Sequence, residues 1–122
     1  MSLQMHRIFL WLFLLGLLSP VALASTEFGK QLDRADAMRS SDQEQFNRLL
    51  LQLDKSSADA TADQLERLRY LHAYRLAYSG QYNLAIQKAS SIFEQAENPT
   101  IKYRAGLLVI NSTALTRDFV SG

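Results

Sequence analysis

The sequence predicts an all-α fold of stacked antiparallel helical hairpins, preceded by an N-terminal signal helix. Three observations predict it. Apolar residues recur at helical spacing in successive segments, as in Phe46, Leu49, Leu50 and Leu53. Gly80 and Asn98-Pro99 punctuate those segments where helices should stop. No segment alternates apolar and polar residues between hairpin turn signals, so strands are not expected.

The first 24 residues form a unit of their own. Arg7 and His6 make a short basic start, Ile8 to Leu18 is an unbroken apolar run, and Ser19-Pro20 breaks it. Ala22-Leu23-Ala24 follows as a small-x-small pattern, so cleavage is expected after Ala24, with Ala22 and Ala24 as its recognition residues. A membrane span needs about 20 apolar residues, and the run has 11 before the proline. The expected organisation is therefore a signal peptide over 1–24 and a helical region over 25–122.

Within that region Ser25 to Gly29 reads as a loose start. Lys30 to Arg39 reads as a helix with Leu32, Ala35 and Met38 on one stripe. Ser40-Ser41-Asp42 interrupts it, and Ser41 with Glu44 matches a capping box. The second helix ends near Lys55, and Ser56 to Ala60 is a connecting loop. Thr61 and Gln64 match another capping box ahead of a long helix from Ala62 to about Ser79. That helix carries Leu65, Leu68, Leu71, Leu76 and tyrosines at 70, 74 and 78. Gly80 is placed for a left-handed C-terminal cap. A fourth helix from about Gln81 to Ala96 carries Tyr82, Ala85, Ile86, Ala89, Ile92 and Phe93. Asn98-Pro99 closes it, because the residue before proline avoids helical geometry. A fifth helix runs from Thr100 to about Thr116.

The segments Arg67–Tyr82 and Arg104–Phe119 align at an offset of 37, placing Arg117-Asp118-Phe119 opposite the turn at Gly80-Gln81-Tyr82. Repeats of this length mark helical solenoids. Gly80-x-Tyr82-x-x-Ala85-Ile86, with Ala73 before it, resembles the core of a tetratricopeptide repeat. Pro99 is a displaced counterpart of that family's downstream proline. His72, Leu76 and Ala89 depart from the family's pattern. A lone hairpin cannot bury both faces, so about three units should stack. Helix five would then lack its partner and expose Leu107, Leu108 and Ile110, which makes the region read as incomplete at its C-terminal end.

The order of features resembles a more specific family. A signal segment, then ADAxRSSDxxxFxxLLxQL from Ala35, then LRYLxAYxLAYxGxYxxAI from Leu68, is similar to the periplasmic sensor half of membrane-bound GGDEF-type diguanylate cyclases. That resemblance implies a non-catalytic sensory or protein-interaction module in the periplasm, attached to an inner-membrane protein that signals through cyclic-di-GMP. The Gly-Gly-Asp-Glu-Phe motif itself is absent from this chain. A free-standing periplasmic adaptor or assembly protein of the same repeat type is the alternative.

The residues exclude several chemistries. Cysteine is absent, which removes disulfides, thiolate metal sites and cysteine nucleophiles. Beyond residue 24 there are 12 basic and 12 acidic residues; that balance argues against a nucleic-acid binder. His72 is the one histidine after the signal segment, and no Gly-x-Ser-x-Gly elbow accompanies it. The five glycines are scattered and make no phosphate cradle. Asp33 and Asp36 read as residues of a solvated helix. No catalytic, cofactor-binding or metal-ligating residue is expected, and export argues against use of ATP or GTP. Asn111-Ser112-Thr113 fits the glycosylation pattern but falls within a helix, so it is read as chance.

The surface expected to matter is the first helix of each repeat. The tetratricopeptide resemblance puts Arg67, Tyr70, Tyr74 and Tyr78 on the concave side, with Arg104 and Asn111 matching in the next unit. Arginine can grip a carboxylate with two parallel bonds, and tyrosine offers apolar area with a hydroxyl. The expected partner is a peptide, a protein or a small anionic ligand, with homodimerisation a further mode. Contact with a membrane is expected only through the signal segment or a downstream span. Replacing Tyr74 and Arg104 together is expected to abolish binding without unfolding the chain.

Overall fold

The computed structural model describes residues 20–121, and all of the regular structure among them is helical: α1 (Pro20–Met38), α2 (Gln43–Lys55), a 3-10 turn (Ser57–Asp59), α3 (Ala62–Tyr78), α4 (Tyr82–Gln95) and α5 (Pro99–Ser121). The apolar run over 8–18 and its break at Ser19 lie outside the described residues. No described helix is long and apolar enough to cross a membrane.

α1 begins earlier than the sequence suggests. The segment Ser25–Gly29, expected to be loose, is helical throughout, and α1 crosses the 24/25 boundary without interruption. Local propensity is poor there, but tertiary contacts hold it. Phe28, Leu32 and Ala35 form an i, i+4, i+7 stripe that is almost wholly buried. The Gln64 side chain donates to the Ser25 carbonyl at 2.7 Å and accepts from the Ser25 hydroxyl at 3.3 Å. Gly29 makes room for this, since a Cβ there would sit 3.3 Å from Gln64 Nε2. Cleavage after Ala24 would leave these contacts in place.

α2 has the expected buried face of Phe46, Leu49, Leu50 and Leu53. Its cap differs from the expectation. Asp42, not Ser41, is the N-cap, accepting from Gln45 N at 3.1 Å. Ser41 instead closes the end of α1, donating its amide to the Met38 carbonyl. The expected capping box at Thr61 and Gln64 is present, with both reciprocal bonds formed. Gln64 thus completes the N-terminus of α3 and ties it to α1.

The turn after α3 follows from Gly80. Its φ of +87° is the one positive value among the described residues. Gln81 N donates to the Leu76 carbonyl and Gly80 N to the Ala77 carbonyl, the paired bonds of a Schellman cap. A side chain at this φ would be strained, so the reversal into α4 depends on glycine. At the other end of α4, Pro99 does not merely end a helix. It is the first residue of α5, where its missing N–H costs nothing. Asn98 caps that helix through Oδ1, which accepts from the Thr100 and Ile101 amides.

α5 departs from the repeat expectation. Arg117-Asp118-Phe119, aligned with the turn at Gly80, is helical, and the helix continues through Ser121. None of the three residues is glycine, so nothing favours the left-handed geometry that ended α3. Of the three residues expected to be exposed on α5, Leu107 and Ile110 are, whereas Leu108 is buried. Gly106 lets α4 and α5 approach, because a Cβ there would lie 3.3 Å from the Phe93 ring.

Contacts set the helix directions. Ser25 meets Gln64 and Ser40 meets Tyr78, so α1 and α3 run parallel. Asn98 meets Asp63 and Arg104 meets Tyr70, so α3 and α5 also run parallel. α2 and α4 return in the opposite sense. One core joins Phe28 and Leu32 of α1, Phe46 and Leu50 of α2, Leu71 of α3, Ile92 of α4 and Leu108 of α5.

Among the described residues two buried side-chain atoms lack a hydrogen-bond partner, Arg39 Nε and Ser112 Oγ. Ser112 on α5 is 1% exposed, and its hydroxyl has no hydrogen-bond partner. Burying a hydroxyl unpaired costs about 1–3 kcal/mol. Ser112→Ala is therefore expected to raise stability by roughly 1 kcal/mol, read as a higher urea midpoint at unchanged slope.

Candidate functional site

Two surfaces hold the polar chemistry of this fold. The first lies where α1, α3 and α5 meet, and five of the six residues expected to line a ligand groove are there. Tyr70, Tyr74 and Tyr78 follow one another along α3 at i, i+4, i+8. Their rings are tilted or stacked at centroid distances of 6.4 and 6.2 Å. Tyr70 is buried, Tyr74 half-buried and Tyr78 exposed. The Tyr74 ring also meets that of Phe46 from α2 nearly at right angles, with 6.4 Å between ring centres. Tyr78 donates its hydroxyl to the Ser40 carbonyl at 3.3 Å.

The arginines of this group are already partnered. Arg104 reaches across from α5 and grips Asp36 of α1 with two bonds, at 2.8 and 2.7 Å. Its guanidinium carbon stands 4.2 Å from the Tyr70 ring centre, a cation–π contact. Arg39 adds a third bond to Asp36 at 2.9 Å and lies 5.3 Å from the Tyr74 ring centre. Arg67 of α3 meets Asp33 of α1 at 2.6 Å. Asn111 is exposed on α5, seven residues beyond Arg104. Asp33 and Asp36 are the acids that receive these arginines; Asp33 is exposed, as read from the sequence, whereas Asp36 is largely covered. An acid–arginine pair 68 residues apart leaves no local pattern to find.

Charge and burial oppose each other at Asp36. Burial raises its pKa, but the hydrogen bond and charge of Arg104, with the charges of Arg39 and Arg67, outweigh burial and hold it below its ordinary value. The hydrogen bonds that Arg104 donates to Asp36 raise its own pKa in turn, against a smaller opposing effect of burial. The cluster is thus an ion-pair clasp joining three parallel helices. Part of it is buried, as Asp36 and Arg104 side chains are 24% and 22% exposed.

The second surface is a groove between α3 and α4, with a volume of about 650 Å³. Ala73 and Leu76 of α3 and Leu84 and Ile92 of α4 supply its apolar lining, and Arg69, Arg75 and Lys88 supply its charge. His72 lines it too, with Nε2 2.7 Å from Asp54 Oδ1 of α2. Ser91 lines the same groove, but among the described residues the His72 ring bonds Asp54 and no hydroxyl. The groove was not foreseen from the sequence. Its cations occupy three separate turns on two helices, and only the hairpin brings them together.

Among the described residues no three histidine or acidic side chains stand close enough to share a metal ion. Both surfaces can hold charged or aromatic groups of another molecule. Compared with known proteins, the chain matches no family model, and no curated protein or solved structure is found to be similar to it.

Proposed function

We propose that this chain is a non-catalytic, tetratricopeptide-like interaction module. In this reading it is exported to the periplasm and forms the sensory half of a membrane-bound diguanylate cyclase. The observation that carries the reading is the layering of the helices. α1, α3 and α5 run parallel while α2 and α4 return between them, as two and a half stacked hairpins would. The Schellman turn at Gly80 and the close-packed Ala73 and Ala85, both fully buried, support the tetratricopeptide likeness. A relay through such a stack needs rigid helices in contact, and the Asp36–Arg104 clasp links the first parallel helix directly to the last.

Export is tested by fusing the full chain at Gly122 to alkaline phosphatase, which folds actively only outside the cytoplasm. An active fusion is expected. A silent one, with an active β-galactosidase fusion at the same residue, overturns export. Attachment to a cyclase is tested by translating the gene beyond Gly122. An apolar span followed by Gly-Gly-Asp-Glu-Phe is expected, and a stop after one further helix overturns that part of the reading.

A further inference from the structure

We infer that the groove between α3 and α4 is a docking site for a short acidic peptide segment with apolar residues between its carboxylates. The inference deepens the reading of the chain as an interaction module and assigns the partner's chemistry.

The argument starts from how the cations are distributed. The chain after residue 24 has equal numbers of basic and acidic residues. On the side where α1, α3 and α5 meet, Arg39, Arg67 and Arg104 all have carboxylate partners. In the groove the pattern is reversed. Arg69, Arg75 and Lys88 make no ion pair among the described residues. The two neighbouring acids are turned to other tasks. Glu66 accepts the amides of Glu97 and Asn98 at 2.9 and 3.3 Å. Asp54 is against His72. No aspartate or glutamate lines the groove itself. Three cations and no carboxylate in the lining leave this concave surface positive, less so at the Arg69 end, where Glu66 shares the adjoining hollow.

The shape narrows the ligand. Arg69 and Arg75 are six residues apart on α3, roughly 9 Å along the helix at 1.5 Å per residue. Leu84 to Gln95 extends the groove roughly 16 Å along α4, which is about five residues of extended chain at 3.3 Å each. The groove is neither sealed nor flat, and its extent along α4 suits a strand-like segment better than a single small anion. Leu76 follows Arg75, and Leu84 and Ile92 stand one turn to either side of Lys88, so apolar and cationic side chains share the lining. They favour a ligand whose carboxylates alternate with apolar side chains over a purely polar polyanion. Ser91 and Gln95 at the edge can bond the peptide backbone.

The test measures binding of a fluorescein-labelled Glu-Leu-Glu-Leu-Glu peptide to the purified full chain by anisotropy. Three proteins are compared: the unaltered chain, an Arg69→Gln/Arg75→Gln/Lys88→Gln variant, and a Lys30→Gln/Arg34→Gln/Lys55→Gln variant. The last two carry the same net charge, and the second set of positions is exposed and outside the groove. The groove variant is expected to weaken binding at least about tenfold, as charge-assisted bonds are lost, and the control variant less than about twofold. Circular dichroism melts of all three are expected to coincide, since the glutamines keep the side-chain stems. Equal weakening by both variants would mean that net charge alone attracts the peptide, and would overturn the site. So would unchanged binding by the groove variant, which would leave the interaction-module reading standing with its contact surface elsewhere. Failure of the peptide to bind the unaltered chain, or equal binding of a Lys-Leu-Lys-Leu-Lys peptide, would also overturn it. Free succinate serves as the last arm; if it competes as well as the peptide, the site takes a small anion instead.

Discussion

Phe46→Ala is expected to destabilise the fold by about 3–5 kcal/mol, the range for emptying an aromatic core position. Phe46 is fully buried on α2, and its ring meets that of Tyr74 on α3 nearly at right angles. It shares the core with Leu32 of α1 and Leu50 and Leu53 of its own helix. Truncation there removes apolar burial from three helices at once and ends an edge-to-face aromatic contact. The neighbours cannot collapse into the space easily, because Leu32, Leu50 and Leu53 are themselves fully enclosed and set by helical backbone. With a urea slope of about 1–3 kcal/mol per molar, the midpoint should fall by roughly 2 M, if the variant folds at all. Phe46→Leu keeps most of the volume and is expected to cost less than half as much. A loss below about 1 kcal/mol for Phe46→Ala would show that α2 is not packed as described.

The second large effect is expected at the clasp. Asp36→Ala leaves the Arg104 guanidinium over Tyr70 with no Asp36 carboxylate and largely out of water. Removing one partner of a fully buried pair costs about 3–5 kcal/mol, and a fully exposed pair is worth under about 1. At 24% and 22% exposure the cost should lie between, at roughly 2 kcal/mol. A double-mutant cycle with Arg104→Ala should give a coupling energy of about 1–2 kcal/mol. A coupling near zero would mean that the two groups do not hold α1 to α5. It follows that the paired replacement of Tyr74 and Arg104 tests stability as well as binding, so it cannot by itself identify a ligand groove.

The pH dependence of the clasp has a definite sign. The pKa of Asp36 is lowered in the folded chain, so the clasp contributes fully above the unfolded value of about 3.9. Its contribution is lost as pH falls through the lower folded value. Arg104 stays charged throughout that range. Urea unfolding between pH 7 and pH 2.5 should therefore show an acid limb that is shallower in Asp36→Asn than in the unaltered chain. The same limb in both proteins would rule out a folded-state shift at Asp36.

Elements whose causes are local are legible in the chain. The spacing of Phe46, Leu49, Leu50 and Leu53 sets the buried face of α2, because residues three and four apart share one side of a helix. Thr61 and Gln64 set the start of α3, and Gly80 its end, because capping bonds and a positive φ depend on residues within one turn. Tertiary structure decided the rest. Ser25–Gly29 is helical because Phe28 enters a core made by distant residues and Gln64 holds Ser25. Asp42 rather than Ser41 caps α2, a choice between adjacent residues that backbone geometry makes. The turn expected at Arg117-Asp118-Phe119 is absent, since alignment with Gly80 transfers position but not the glycine. Asp36 meets Arg104, and Arg69, Arg75 and Lys88 share a groove, only once α3 has been folded against its neighbours. Side chains brought together across dozens of residues depend on how helices cross, and no short pattern in the chain records that.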